Sequence, residues 1–239
     1  LNYAGFALWS LAYVLFIVKG RRDQTYGVPL VAICLNFTWE LYFAALCPLM
    51  GQEKQDLCTA TGIVRWALIA WLVLDSVILY QLFAYGWRSE TTLLNRLPAR
   101  GRRPIFYAFL VVLLVVFLSW QYAFVNVGAD RDGNSLAWLT NLVMSGLFVL
   151  SAVFRRPYGH GLSSAGGWAM LGGNCAYAAY AVRTDFAEFT AWDPRVTRAL
   201  MVAVIVFNLF YLFVLFVLRH RSRRPKAVPP NVVGHPVSQ

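Results

Sequence analysis

The 239 residues are 59% hydrophobic and only 13% charged, with a mean hydropathy of +0.55, against about a quarter charged in an average soluble domain. That balance excludes a soluble globular enzyme and indicates a polytopic membrane protein. The net charge of +10 does not indicate a nucleic-acid partner, because the basic residues are segregated into alternate connections between apolar segments.

Apolar segments run over about 2–18, 28–50, 62–87, 104–125, 135–154, 162–182 and 199–218, each near the ~20 residues a spanning helix requires. The expected fold is an all-α integral membrane protein, a seven-helix bundle over 1–218, followed by a basic and then Pro-rich tail, 219–239, whose composition cannot build a core. The chain opens on Leu1 rather than Met. Its first segment lacks a basic n-region and a small-residue cleavage site, so it reads as a helix rather than a signal peptide. Fifteen of the 21 Lys and Arg fall after the first, third, fifth and seventh segments, Arg88, Arg155, Arg156 and Arg219 among them. The other six include Lys54, Arg65 and Arg131, while Glu53, Asp56, Asp130, Asp132, Asp185, Glu188 and Asp193 share their side. By the positive-inside rule the N-terminus is external and the C-terminus cytoplasmic. The host bilayer is the cell membrane in a bacterium or the endoplasmic reticulum in a fungus.

The second segment contains "LNFTWELYFAALCP", with Glu40 in its middle. A carboxylate at that depth costs a few kcal/mol by insertion scales, so a chain that keeps one usually pairs it or uses it. The "NFT" sequon at 36–38 lies too deep for a glycosyltransferase. Cys47 and Cys58 flank the first external connection, either as a disulfide in an oxidising compartment or as two free thiols. The third segment carries Asp75, and the connection at 88–103 alternates Arg with Leu93, Leu94 and Leu97 as an interfacial stretch would. "GHGLSSAGGWAMLGG" at 159–173 follows no strand, so it is no phosphate loop; Ala165, Ala169 and Gly173, four apart, are expected to admit a close helix neighbour.

Helical spacing places Asn36, Glu40 and Phe43 on one face of the second helix, Trp71, Asp75 and Leu79 on one of the third, and Val204, Asn208 and Tyr211 on one of the seventh. At about 1.5 Å per residue, Glu40 lies about 12 Å below Pro48 and Asn208 about 14 Å below Ala199, so the two are expected to face each other, with Asp75, about 20 Å from Gly62, deeper. Two readings of the carboxyls stand. They hold the bundle together through Asn36, Asn141, Asn174 or Asn208, or one of them, kept protonated away from water, is a general acid. Aromatic residues make up 16% of the chain. Trp39, Trp71, Trp138, Tyr177 and Tyr211 sit deep enough to line a pocket, where their faces would stabilise a cation. An acid among aromatic walls suits carbocation chemistry. It also suits a transporter or receptor in which Glu40 pairs with a cationic ligand.

"NFTWELYF", "WLVLDSVILY" and "NLVMSGLFVLSAVFRRPYGHGLSSAGGWAMLGG", taken in order, resemble the small seven-helix membrane-bound terpene cyclases of fungal indole-diterpene and meroterpenoid pathways and their actinobacterial relatives. The resemblance implies protonation of an alkene or epoxide in a prenyl chain attached to an indole or other aromatic core, then ring closure and proton loss. It implies a glutamate of the "WE" element as one acid, matched by Glu40, and an aspartate in the seventh helix as the other. Here "VFNLFYLF" offers Asn208 at that place, so Glu40 acts alone or Asp75 takes the second part. Asn36, Trp39, Phe43, Trp71, Trp138, Asn141, Tyr177 and Tyr211 are the expected substrate contacts. The expected partners are a prenylated small molecule and the lipid bilayer.

No cofactor or metal is expected, since the sequence has neither a DDxxD cluster nor a DxDD element. Two outcomes follow. Tags at the C-terminus and within 88–103 should be cytoplasmic and one within 51–61 external in a protease-protection assay. Turnover should survive EDTA, whereas loss on chelation and recovery with Mg²⁺ would indicate an ionising, diphosphate-dependent reaction.

Overall fold

The computed structural model describes residues 3–50, 58, 60–89, 99–126, 133–155, 160–184 and 192–222. Seven long helices account for nearly all of them: α1 (Tyr3–Arg22), α2 (Leu30–Leu49), α3 (Gly62–Ser89), α4 (Ala99–Asn126), α5 (Asn134–Phe154), α6 (Ser164–Arg183) and α7 (Pro194–Ser222). All but α6 are long and apolar enough to cross a membrane by length and composition; α6 falls short because Gly, Ser and Asn replace aliphatic residues along it. The expected seven-helix bundle is therefore all-helical as read. α7 continues past the boundary at 218 to Ser222, and the rest of the tail, the 90–98 stretch and the acidic residues from Glu53 to Glu188 named above lie outside the described residues.

Local chemistry sets where the helices begin. Ser163 caps α6 by accepting the Gly166 N–H at 2.9 Å, and Asp193 accepts the Arg195 N–H at 2.7 Å ahead of Pro194, whose missing donor costs nothing in a first turn. Within α2 the regular ladder is interrupted by a π-helical turn, Tyr42–Leu46, in which the Cys47 N–H donates to Tyr42 O five residues back. Pro48 cannot donate the next such bond. Phe43 O is thereby left open, and Arg65 of α3 donates to it at 3.4 Å. Cys47 and Cys58 form a disulfide with Cα atoms 5.4 Å apart, which settles the two readings of this pair, while Cys34 and Cys175 are free.

The closest packing is between α1 and α6, which run antiparallel. A Cβ on Gly173 would lie 2.7 Å from the Trp9 ring and one on Gly166 2.8 Å from the Phe16 ring, each far inside van der Waals contact. A step of seven up α1 thus matches a step of seven down α6. Gly5 reciprocates, its missing Cβ admitting the Tyr177 ring. The small-residue face is therefore Gly166, Ala169 and Gly173, not the expected Ala165, Ala169 and Gly173: Ala165 is exposed. Seven residues span almost two turns, so Gly166 and Gly173 share a side that Ala165, about 100° away, does not.

α2 is the most buried helix and packs against α3, α4 and α5; α7 packs chiefly against α5 and α6. Five helices, α1, α2, α3, α5 and α6, enclose the interior, with α4 behind α2 and α7 outside α5 and α6. Buried amides tie layers together: Gln81 of α3 donates to Ile17 O of α1 at 2.8 Å, and Gln121 of α4 to Leu35 O of α2 at 2.9 Å. The outward faces of α4 and α7 expose Val111, Val112, Val115, Val202, Phe213 and Phe216, a lipid-facing surface by composition.

The basic end is closed by backbone contacts rather than by charge alone. Asp23 bonds Lys19 at 2.6 Å and accepts the Gly161 N–H at 2.7 Å. Partial burial alone would raise the Asp23 carboxyl, but the Lys19 ammonium and that N–H outweigh it and hold it below its ordinary value. Gly161 has φ +76°, where a side chain would be strained and would also strike Thr25. Arg155, counted in the sequence as a topogenic charge, lies 4.3 Å over the Tyr26 ring and donates to Tyr26 O at 2.9 Å. Arg219 donates to Ser164 Oγ and, at 2.8 Å, to Leu162 O.

Gly173→Val should lower thermal stability in detergent by about 1–3 kcal/mol, the usual effect of overpacking, whereas Ala165→Val should leave it unchanged. Equal effects would contradict the α1–α6 register.

Candidate active site

Glu40 and Asp75 lie near the midpoints of α2 and α3, and one amide links them. Asn36, a turn before Glu40, places Nδ2 3.0 Å from Glu40 Oε1 and 2.7 Å from Asp75 Oδ2. The same nitrogen donates to Tyr13 Oη of α1 at 2.7 Å, and the Tyr13 hydroxyl donates to Glu40 Oε1 at 2.8 Å. All four side chains are buried. Three helices thus meet at one polar centre with no described cation beside it.

The link sets Asp75 beside Asn36, which stands one turn farther from Pro48 than Glu40 does.

Glu40 opens onto a pocket of about 130 Å³. Its walls come from the halves of α1, α2, α3, α5 and α6 nearest Asn134 and Val64, so it reaches from the polar centre toward one end of the bundle. Six of its sixteen lining residues are aromatic: Trp9, Tyr13, Trp39, Trp71, Trp138 and Tyr177. The apolar wall is Val64, Ala67, Leu68 and Ala137.

Several polar atoms of lining residues are buried without a partner among the described residues: Glu40 Oε2, Trp39 Nε1, Thr140 Oγ1, Asn174 Nδ2 and Tyr177 Oη. Unmet donors and acceptors gathered around one cavity mark a place built to be occupied by something polar in part. Other members are fixed from behind: Trp9 Nε1 donates to Asn174 Oδ1 at 3.2 Å, and Trp71 Nε1 to Ser10 Oγ at 3.1 Å.

Of the residues singled out from sequence, Asn36, Trp39, Glu40, Trp71, Trp138, Asn141 and Tyr177 line this pocket. Asp75 stands one hydrogen bond behind it. Phe43 does not line it; it is fully buried against Trp39 and Tyr42 in the cluster around the disulfide. Asn208 and Tyr211 are also fully buried but not at the pocket, because α7 lies outside α5 and α6 rather than across from α2. Tyr211 packs on Phe148, ring centroids 5.2 Å apart, and donates to Ser163 O at 3.4 Å. Helical periodicity identified the inward face of α7 and its depth, but not which neighbours that face meets. Tyr13 and Trp9 were missed, although Trp9, Tyr13 and Phe16 stand at i, i+4 and i+7, an aromatic stripe that marks the inward face of α1.

A helical membrane bundle with a mid-depth carboxyl at the base of an aromatic pocket defines the class. The chain belongs to the Pyr4-like transmembrane terpene cyclases, whose family model matches residues 1–221. Among similar proteins, the Pyr4-family terpene cyclase mfmH of Annulohypoxylon moriforme is 28% identical over 62% of this chain and 55% of its own. Terpene cyclase ascF of Acremonium egyptiacum is 26% identical over 58% and 46%, and terpene cyclase dpfgB of Gibberella zeae 45% identical over 23% of each. The chain spans about half the length of the first of these relatives. No solved structure matches it.

Proposed function

We propose that this protein cyclises a prenyl chain carried on an indole or other aromatic core, with Glu40 as the general acid. The observation that supports this best is that Glu40, and not Asp75, lines the aromatic pocket, with Oε1 receiving the Tyr13 hydroxyl. The proton leaves the Glu40 carboxyl for an alkene carbon or an epoxide oxygen; the resulting cation is attacked by the next double bond and closes rings against the faces of Trp39, Trp71, Trp138 and Tyr177. A final proton loss restores neutrality, so the product is an isomer of the substrate and no diphosphate departs. Asp75, hydrogen-bonded to Asn36 and absent from the pocket's lining, supports the centre rather than meeting the substrate. The N-terminus lies outside and the C-terminus in the cytoplasm, placing the pocket in the half of the bundle away from the basic end.

Membranes containing the protein, incubated with a farnesyl-indole and with its terminal epoxide, should give products of unchanged mass and altered retention. Glu40→Gln keeps shape and much of the hydrogen bonding but has no proton to give, and should lower turnover by about 10²–10⁴ while the protein still folds. Asp75→Asn should cost about tenfold, the scale of one buried hydrogen bond. A folded Glu40→Gln protein with wild-type turnover would refute the assignment, and a loss in Asp75→Asn as large as in Glu40→Gln would move the acid to Asp75.

A further inference from the structure

We infer that Tyr13 is a positioning residue: its hydroxyl, donated to Glu40 Oε1, fixes the orientation of the carboxyl and tightens on it as the acid gives up its proton. This deepens the reading of Glu40 as the acid and rests on it. Hydrogen counts decide the matter. Asn36 Nδ2 has two hydrogens and three oxygens within reach: Tyr13 Oη and Asp75 Oδ2, both at 2.7 Å, and Glu40 Oε1 at 3.0 Å. The two shorter contacts claim both hydrogens. Because its oxygen accepts from Asn36, the Tyr13 hydroxyl sends its one hydrogen to Glu40 Oε1, 2.8 Å away.

Oε1, which receives the Tyr13 O–H with the Asn36 nitrogen alongside, is thus the oxygen whose surroundings favour carbonyl or carboxylate character. Tyr13 cannot swing away to change this, since it is 4% exposed. Its ring packs 5.8 Å from that of Trp9, which is seated on Gly173 and bonded to Asn174. The orientation of the acid is therefore inherited from the α1–α6 packing.

When the Glu40 O–H bond breaks and the new bond to substrate carbon or oxygen forms, Glu40 becomes a carboxylate and the Tyr13 contact becomes a charge-assisted hydrogen bond. Such bonds are roughly twice as strong as neutral ones. A contact that strengthens as charge develops favours the transition state over bound substrate and therefore acts on kcat.

Tyr13→Phe retains the ring and removes only the hydroxyl. It should lower kcat by about 10–100-fold, the range of hydrogen bonds to charged groups, and leave KM unchanged. Infrared spectroscopy reads the carboxyl without turnover. The protonated-carboxyl C=O band that Glu40→Gln abolishes and Asp75→Asn retains should move to higher frequency in Tyr13→Phe, as a carbonyl losing a donor does. Wild-type kcat with an unmoved band in Tyr13→Phe, beside an inactive Glu40→Gln, would overturn the inference and leave the acid in place. Wild-type turnover in Glu40→Gln would remove the acid itself. Should Tyr13→Phe not accumulate as folded protein, the wild-type band decides: a position below that of a free carboxylic acid supports the inference, and the free-acid position overturns it.

Discussion

Two hydrogens on one amide nitrogen hold the interior together. Carboxyl groups withdrawn from water must be satisfied within the bundle, and here Asn36 serves Tyr13 of α1 and Asp75 of α3 directly, with Glu40, one turn along its own helix, completed by Tyr13. Three of the helices that line the pocket are joined at mid-depth by donors and acceptors that leave little slack. The rest follows outward from that point. α1 can bring Tyr13 to the centre only because glycines on α6 let its aromatic stripe approach. A pocket with a fixed carboxyl is in this sense a by-product of satisfying polar groups in a non-aqueous interior.

How much of this could be read in advance depended on which geometric quantity was at issue. Helix number and approximate ends follow from runs of apolar residues, since a bilayer imposes a length. The inward faces of α2, α3 and α7 follow from a 3.6-residue period, and the residues named on them, Asn36, Glu40, Asp75 and Asn208 among them, are all buried except the half-buried Trp71. Neighbourhood does not follow from either. Asn208 has the right depth and the right inwardness but belongs to a helix outside the five that line the pocket. Nothing in a single helix's pattern encodes which other helix it meets. Tyr13 illustrates the converse: the apolar stretch around it, residues 3–18, carries no charged residue to attract attention, and a phenol counts among the hydrophobic residues although its hydroxyl completes the centre.

The two ends of the bundle are secured by different chemistry. At the basic end, Asp23, Arg155 and Arg219 each bond backbone atoms of a neighbouring connection, so residues whose abundance indicates orientation also fasten α1, α5, α6 and α7 to one another. At the other end the fastening is covalent and aromatic, with Cys47–Cys58 among Trp39, Tyr42 and Phe43. The open volume lies between the polar centre and this second end, the half where rigidity comes from side chains rather than from loop backbone.

The π turn at Tyr42–Leu46 acts as a phase slip. Beyond it, the azimuth of every residue on α2 is displaced from the one a continuous α-helix would give, so the stripe holding Asn36 and Glu40 ends where the turn begins. α2 therefore behaves as two short helices sharing an axis, one addressed to the polar centre and the other to the disulfide cluster. Because their facings are set separately, side chains at the outer end can change without turning the Glu40 carboxyl.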